Sequence, residues 1–352
     1  MKGSVFGVTL ALTAAFLGTH AAPALACAGC RNPSLATTRG SEGSLAAGAI
    51  RAGATLTGTT VHVVHEAGCA DLGSCTEVPV QPVYLHDQNL YPAELRLSGE
   101  YGINRTLGVE LQVPFRLVKT TIRYTTPDGH PYEPLDPGVH HRSEVVAGPA
   151  DVWLLLRVGT LWNKWWLAAR PGVSLPVGKT VENPFELGDH GLRHQHIQFG
   201  SGTFDPILVL EASRNFKPIT LEMFAQGQAA LYENSQGYRA PWRASGGAAV
   251  STKLFGDLNG ALGGEMFHDD AERWDGNIRQ DGNLGRTEIL ASAALRQTIG
   301  KGVLSLNVRV PLWRDIVVGD EPPGTLSSPV ILSLGYSHTF FDDDDASAAA
   351  AK

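Results

Sequence analysis

Most of this chain alternates between apolar and polar residues, which is the pattern of a β-strand with one apolar and one polar face. The pattern is clearest in segment 106–123, where one face carries Leu107, Val109, Leu111, Val113, Phe115 and Leu117. The opposite face carries Thr106, Gly108, Glu110, Gln112 and Arg116. Twelve segments follow the pattern: 48–64, 90–103, 106–123, 147–160, 165–177, 203–215, 217–232, 240–254, 257–268, 285–299, 302–313 and 328–340. Most have at least the ~9–11 residues that a tilted transmembrane strand needs.

The connections between these segments alternate between short and long. The short ones lie at 102–105, 161–164, 216–218, 255–257 and 300–302. The long ones cover 65–89, 124–146, 178–202, 233–239, 269–284 and 314–327. Short periplasmic turns and long external loops are the layout of an outer-membrane barrel, whereas a soluble β-sandwich does not need this alternation. The sequence therefore predicts an all-β fold: a transmembrane antiparallel up-and-down β-barrel of about twelve strands over residues 47–340, with both termini periplasmic.

The last segment has the features of a closing strand. One of its faces carries Val330, Leu332, Leu334, Tyr336 and Phe340. A final strand that ends in an aromatic residue is typical of bacterial outer-membrane barrels, and its pairing with the first strand removes both sheet edges. We expect this strand to engage the outer-membrane assembly machinery and to contact membrane lipid. Residues 341–352, acidic and then Ala-rich, are expected to be a solvated tail.

The N-terminus has the features of a signal peptide over residues 1–26. Lys2 gives a positive start, and the apolar stretch 5–17 is too short to span a bilayer. Ala24-Leu25-Ala26 then supplies a cleavage site, so the mature chain is expected to begin at Cys27. Lipidation of this cysteine is an alternative, but a lipobox prefers Leu where this chain has Ala24.

Composition narrows the classes of function. The net charge is −7 and no segment concentrates Lys and Arg, so the chain offers no basic patch for nucleic acid. Mean hydropathy is −0.06, and after the signal no apolar run approaches the ~20 residues of a membrane helix. The predicted partners are therefore outer-membrane lipid and a small-molecule solute.

The middle of the chain carries a more specific signal. Gly148-Pro-Ala-Asp-Val-Trp-Leu154 opens one strand, Leu175-Pro-Val-Gly-Lys179 ends the next, and Gly200-Ser-Gly-Thr-Phe-Asp205 opens the one after. This series, within about residues 145–215, resembles the outer-membrane transporter-like proteins of the MetA-pathway of phenol degradation family. The chain departs from that pattern at Ala150, where Gly is usual, and at Val177, where Thr is usual. The resemblance implies an outer-membrane β-barrel that passes small, often hydrophobic molecules, and it implies no defined substrate.

The glycines of this series have a physical reading. Tight bends at the rim need positive φ or close backbone approach, which glycine tolerates best. Asp151 and Asp205 would then face inward at the rim and accept hydrogen bonds from backbone N–H groups that strand pairing leaves free.

If the large apolar residues face lipid, the polar residues of the same strands line the lumen. The lumen-lining candidates are Glu94, Arg96, Glu110, Gln112, Arg116, Arg170, Glu211, Glu222, Gln226, Glu265, Glu288, Arg296 and Arg309. Because eight strands leave a filled interior and sixteen leave an aqueous channel, about twelve strands allow either a narrow polar pore or a plugged, ion-paired interior. The mixed charges argue against strong selectivity for one sign of ion. We expect passive passage of small, weakly polar, perhaps aromatic solutes; the alternative is a non-conducting structural or metal-associated barrel.

The four cysteines form two pairs. Cys69 and Cys75 share one predicted external loop, where a disulfide is expected in an oxidising compartment. Cys27 and Cys30 form a CxxC pair in segment 27–46, which we expect to be a periplasmic or plugging segment. That pair is compatible with a tight disulfide, a redox pair or half of a metal site.

Histidines concentrate in the predicted external loops. His194 and His196, with His190 or with His140 and His141, are candidate ligands for Zn or Cu, although surface histidines without a metal explain the pattern as well. A remote alternative is an outer-membrane phospholipase, whose His and Ser would be His141 and Ser143. No Asn partner is evident beside them, so we expect no enzymatic activity and no cofactor.

Overall fold

A computed structural model describes residues 44–67, 84–134, 142–194, 196–279, 282–318, 324–327 and 330–341. The predicted signal peptide, the CxxC segment up to residue 43, all four cysteines and the tail from residue 342 lie outside these ranges. His140 and His141 lie outside them as well.

The described residues form strands and one short helix. The strands are β1 Ile50–Thr59, β2 Val61–Ala67, β3 Tyr84–Gly102, β4 Leu107–Thr125, β5 Glu144–Pro149, β6 Val152–Trp162, β7 Trp165–Leu175, β8 Asp205–Asn215, β9 Ile219–Gln228, β10 Tyr238–Arg239, β11 Arg243–Phe255, β12 Leu258–Asp269, β13 Arg273–Trp274, β14 Arg286–Ile299, β15 Gly302–Ile316, β16 Gly324–Ser327 and β17 Ile331–Phe340. The helix is α1, Pro184–Asp189.

The sheet closes into an antiparallel barrel of 12 strands. These strands are β1, β3, β4, β6, β7, β8, β9, β11, β12, β14, β15 and β17. Closure occurs where Ile50 of β1 pairs with Phe340 of β17 and Thr59 pairs with Ile331. The predicted transmembrane barrel, with its closing strand ending at Phe340, is therefore confirmed.

The two ends of the barrel differ in their connections. Short turns join β3 to β4, β6 to β7, β8 to β9, β11 to β12 and β14 to β15. One of the two-residue turns consists of Asn163 and Lys164, with φ of 46° and 66°. Positive φ at both central residues is the geometry of a type I′ hairpin, which matches the twist of the paired strands. The ends of β1 and β17 at Ile50 and Phe340 lie at this end, and the long loops lie at the other.

The outward face of the barrel is apolar, and the inward face is polar. Leu262 is 71% exposed while its neighbour Ala261 is buried, and the same alternation runs along the other strands. Exposed aromatic residues mark the short-turn end: Tyr101, Trp162, Phe216, Phe255 and Phe340. An apolar surface of this extent is unfavourable in water. It suits a lipid bilayer, where aromatic residues of the barrel lie at the membrane interfaces. Among the described residues, no helix is long and apolar enough to cross a membrane.

Candidate functional site

A cluster centred on Arg170 crosses the interior. Its Nη1 lies 2.7 Å from Glu110 Oε2 and 3.3 Å from Glu100 Oε2, and its Nε lies 3.1 Å from Glu211 Oε2. Arg170 is on β7, whereas Glu110 and Glu100 are on β4 and β3, which are not neighbours of β7 in the sheet. A side chain reaches those strands only through the lumen. This Arg170 cluster therefore fills part of the barrel.

The network continues toward the loop end. Gln112 donates to Glu110 at 2.8 Å and accepts from Arg96 at 2.9 Å. Arg96 and Arg116 both donate to Glu94, whose oxygens lie 2.6 Å from Arg96 Nη2 and 2.8 Å from Arg116 Nε. All five residues are buried. Because each charge has an opposite partner, the β3–β8 side of the interior is occupied by a continuous ion-paired layer.

The opposite side of the interior has separate ion pairs. Arg296 Nη1 lies 2.8 and 2.9 Å from the two carboxylate oxygens of Glu222, and Arg309 Nη1 lies 3.2 Å from Glu265 Oε1. Glu288 accepts from Arg314 near the loop end. Gln226 is half-buried and faces the interior beside the Arg170 cluster. The lumen-lining candidates are thus all on the inner face, buried or half-buried, and most of them are ion-paired.

The described residues border at least two spaces inside the barrel that protein atoms leave unfilled, and the volumes of these spaces include adjoining open solvent. One, of about 530 Å³, is bordered by β8, β9, β11, β12, β14 and β15. The other, of about 340 Å³, lies against the Arg170 cluster, and both spaces touch Glu211 and Phe224. We call the larger one the β8–β15 cavity.

Small side chains leave the β8–β15 cavity open. Four of its inward positions on β11, β12 and β14 are the small residues Ala249, Ala261, Ser292 and Ala294, where the β3 and β4 side of the barrel has Glu and Arg. The free interior space is therefore eccentric: one wall carries the continuous charge network, and the opposite wall combines small residues with the separate ion pairs.

The long loop between β7 and β8 folds back to the barrel and is fastened by Asp151. Asp151 Oδ1 accepts from the Gly178 N–H at 2.9 Å, and Asp151 Oδ2 accepts from the Ser201 N–H at 2.6 Å and from Ser201 Oγ at 2.9 Å. A Cβ at Gly178 would lie 2.6 Å from Gly200 Cα, so the two loop ends pass at backbone contact distance. We call this arrangement the Asp151 clasp. It explains why the motif residues Asp151, Gly178 and Gly200 occur together, and it confirms the predicted inward-facing aspartate.

The loop held by the clasp packs inward. Phe199 and Ile197 are buried in an apolar cluster with Val63, Leu90 and Val118 of the barrel. The Phe199 carbonyl also accepts from Arg116 Nη1 at 3.2 Å, which ties the loop to the interior network. Asp205, at the start of β8, accepts from Thr203 Oγ1 at 2.6 Å and from Gln228 Nε2 at 3.2 Å. Asp205 therefore faces inward as expected, but these donors are side-chain groups and not the expected backbone N–H groups.

A second group of loops covers the same end. Trp274 of β13 is fully buried; it packs against Tyr238 of β10 with ring centroids 4.8 Å apart and against Phe185 of α1 at 6.0 Å. Asn183, the N-cap of α1, donates to Asp275 at 2.7 Å. These contacts join the β7–β8 loop to the β9–β11 and β12–β14 loops, so the loop end is narrowed by a shared cap.

The described N-terminal residues cross the short-turn end. Leu45 and Ala49 are buried, and the Gly48 N–H donates to the Gly102 carbonyl at 2.8 Å. A Cβ at Gly102 would lie 2.9 Å from Leu45 Cβ. The chain before β1 therefore lies against the inner face at the end of β3.

The loop histidines have local contacts. His190 Nδ1 lies 2.7 Å from the Glu186 carbonyl, His194 Nδ1 lies 2.9 Å from the Leu192 carbonyl, and the His194 and His196 rings are 5.0 Å apart. Among the residues that the structure describes, no group of three or more His, Cys, Asp or Glu is arranged to hold a metal. Because His140 and His141 lie outside that part of the chain, the metal site stays a prediction.

The candidate phospholipase residues and the candidate disulfide cysteines also lie partly or wholly outside the described residues. Ser143 Oγ lies 3.0 Å from the Ile122 backbone nitrogen and accepts its hydrogen bond, whereas its expected partner His141 falls outside the described residues. Both pairs of candidate disulfide cysteines also fall outside them. The phospholipase alternative and the disulfides therefore stay predictions.

Sequence reasoning missed one central charge. Arg157 is 0% exposed and donates from Nε to Glu100 of the Arg170 cluster. Arg157 follows Leu154, Leu155 and Leu156, where apolar residues occupy both faces and hide the alternation. Arg157 lies two residues after the inward-facing Leu155, so the period of two along the strand indicates that Arg157 also faces inward.

Comparison with known proteins supports the fold. No family model and no curated protein matches this sequence. The chain is similar to the crystal structure of an outer-membrane channel from Pseudomonas putida F1, with 12% identity and a TM-score of 0.56 over 87% of this chain and 100% of that chain. It also matches the P. putida toluene transporter TodX, with 10% identity and a TM-score of 0.40 over 83% of this chain and 90% of that chain. A TM-score of 0.40 does not establish a shared fold, so the first of these two likenesses is the informative one. This chain therefore has the fold of an outer-membrane β-barrel channel.

Proposed function

We propose that this protein is an outer-membrane channel through which small, weakly polar solutes diffuse passively. The observation that carries the proposal is the eccentric free space inside the closed barrel, beside an interior network in which charges are paired. Paired charges do not give the single-sign ring that strong ion selectivity needs. A space bounded by Phe224, alanines and a few polar groups suits a compact, mainly apolar solute.

The proposed location is the outer membrane, with both termini in the periplasm and long loops outside. Solutes would enter from the loop end, past the shared cap. The chain that precedes Leu45 is proposed to lie in or across the periplasmic mouth, because residues 45–49 already lie against the inner face there. Assembly machinery is proposed to engage β17, and the likeness in fold to a P. putida channel supports transport as the role.

The test uses the mature chain refolded into lipid. Proteoliposome swelling is measured with uncharged solutes of increasing size, and ion conductance is measured in planar bilayers. We expect passage of the smallest solutes, exclusion of disaccharides and low ion conductance. A second form that lacks residues 27–43 is expected to show higher conductance if that segment narrows the mouth. Silence of both forms in both assays would favour the non-conducting structural barrel, and hydrolysis of a phospholipid ester would favour the phospholipase.

A further inference from the structure

One buried carboxylate oxygen in the β8–β15 cavity has no hydrogen-bond donor among the residues that the structure describes. Glu265 is 4% exposed, and its Oε1 is paired with Arg309, whose Nη1 lies 3.2 Å away. Its Oε2 is buried and lacks a partner among the described residues, as does Arg309 Nε. A buried polar atom without a partner is costly, so this oxygen is a place where a donor from a bound molecule adds stability.

The other charged groups of the cavity are already partnered. Glu222 accepts from Arg296 and from Ser251 Oγ at 3.0 Å, and Glu211 accepts from Arg170. A cation in the cavity would meet these guanidinium groups, and an anion would meet the carboxylates. The arrangement therefore favours an uncharged molecule that brings a hydrogen-bond donor to Glu265.

Apart from Asn307, the rest of the cavity wall is apolar or small. Phe224 lies along the inner face, where a Cβ at Gly247 would be 2.9 Å from its Cε1. Ala249, Ala261 and Ala294 leave room beside this ring. An aromatic or compact aliphatic body fits such a wall, and ring stacking on Phe224 adds to apolar burial.

We propose that the β8–β15 cavity is a binding subsite for uncharged solutes that join one hydroxyl group to a compact apolar body, with the hydroxyl donating to Glu265 Oε2. The proposal rests on the proposed channel function, since it names the class of solute that pauses inside the lumen. The subsite would favour hydroxylated molecules over ethers or hydrocarbons of similar shape. A hydroxyl group can donate a hydrogen bond to the charged carboxylate, whereas an ether oxygen has no hydrogen to donate.

The experiment compares two probes by fluorine NMR with the full mature chain refolded in detergent micelles. The probes are 4-fluorobenzyl alcohol and its methyl ether, which keeps the oxygen but removes the donor. We expect the protein to bind the alcohol about 10-fold or more tightly than the ether, as a hydrogen bond to a charged acceptor allows. The double variant Glu265→Met, Arg309→Met removes the acceptor without leaving a buried charge, and it is expected to lose that preference.

A matched control removes another ion pair. The pair Arg243 and Asp269 lies at the outer ends of β11 and β12 and does not border the cavity, with Nε and Oδ1 2.8 Å apart. The double variant Arg243→Met, Asp269→Leu is expected to keep the preference for the alcohol. Heat-modifiable migration on gels shows which variants are folded.

Three outcomes overturn the subsite: equal affinities in the wild type, as expected if a tightly held water occupies Glu265; a preference that persists in the Glu265 variant; or a preference lost equally in the control. Binding in micelles needs no passage across a membrane. Retained preference without flux in proteoliposomes would therefore refute the channel alone, whereas flux without preference would refute the subsite alone.

Discussion

The Asp151 clasp predicts how firmly the β7–β8 loop is held over the barrel. Replacing Asp151 by Ala leaves the Gly178 N–H, the Ser201 N–H and Ser201 Oγ without their acceptor. Strand pairing is unaffected, because Asp151 lies between β5 and β6 rather than within either strand. The change is therefore expected to loosen the loop while the barrel stays folded.

The magnitude follows from the three contacts. A hydrogen bond to a buried charged group contributes about 1.5–3 kcal/mol, and contacts that share one carboxylate do not add fully. We expect the free energy of local opening to fall by about 2–4 kcal/mol, which corresponds to about 30- to 900-fold faster exchange of the protected amides. The packing of Phe199 and Ile197 would remain and limit the effect.

Hydrogen–deuterium exchange with mass spectrometry measures this directly on peptides from 178–204. The matched control is Asp189→Ala, which removes an exposed carboxylate from the same loop and is expected to leave exchange unchanged. The reasoning is refuted if Asp151→Ala leaves the exchange of residues 178 and 201 within about threefold of the wild type, or if exchange rises equally in strands far from the loop.

Two further predictions concern the barrel itself. Arg170→Met leaves three buried carboxylates short of a partner and should lower the free energy of unfolding by about 3–5 kcal/mol in urea titrations, whereas Lys119→Met at an exposed site should change it by less than about 0.5 kcal/mol. Phe340→Ala should reduce the yield of heat-modifiable protein because Phe340 pairs with Ile50 at the closure of the barrel. Deletion of residues 342–352 should leave this yield unchanged. A tail deletion that lowers the yield, together with a Phe340→Ala variant that does not, would contradict this account of the closing strand.

The sequence predicted the strands well because a barrel wall has one lipid-facing and one inward surface along its whole length. Its errors lie where that rule is interrupted. We predicted the second strand to begin at residue 90, yet β3 begins at Tyr84 and passes through Pro92. On one side, Pro92 lies opposite the break between β1 and β2, and strand pairing resumes beyond it at Val61 and Leu90. Because no strand residue pairs with Pro92 on that side, its missing N–H costs little there.

The predicted strand 147–160 is divided for a related reason. β5 ends at Pro149 and β6 begins at Val152, and the residues between them supply Asp151 to the clasp. The outward positions change from odd-numbered residues up to Pro149 to even-numbered residues from Leu154, and apolar residues on both faces hide this change in the sequence.

The candidate site was only partly predictable. Parity along the strands indicated which side chains face inward, but the partners of those side chains depend on the closure of the barrel. Nothing in the local sequence brings Arg170 to Glu100, which lies 70 residues earlier and three strands away around the wall. The eccentric free space was likewise not evident, because it depends on small residues of β11, β12 and β14 being placed opposite the charge network.

The central claim, that small solutes pass through the eccentric space, is tested most directly by filling that space. Radiolabelled benzyl alcohol uptake is measured in vesicles whose outer leaflet contains lipopolysaccharide, which slows diffusion of apolar solutes through the lipid itself. Ala261→Trp places a large ring in the cavity, and Leu262→Trp places the same ring on the lipid-facing neighbour. We predict rapid uptake with the wild type and with Leu262→Trp, and uptake near that of protein-free vesicles with Ala261→Trp. Equal uptake by the wild type and a folded Ala261→Trp variant would contradict the account.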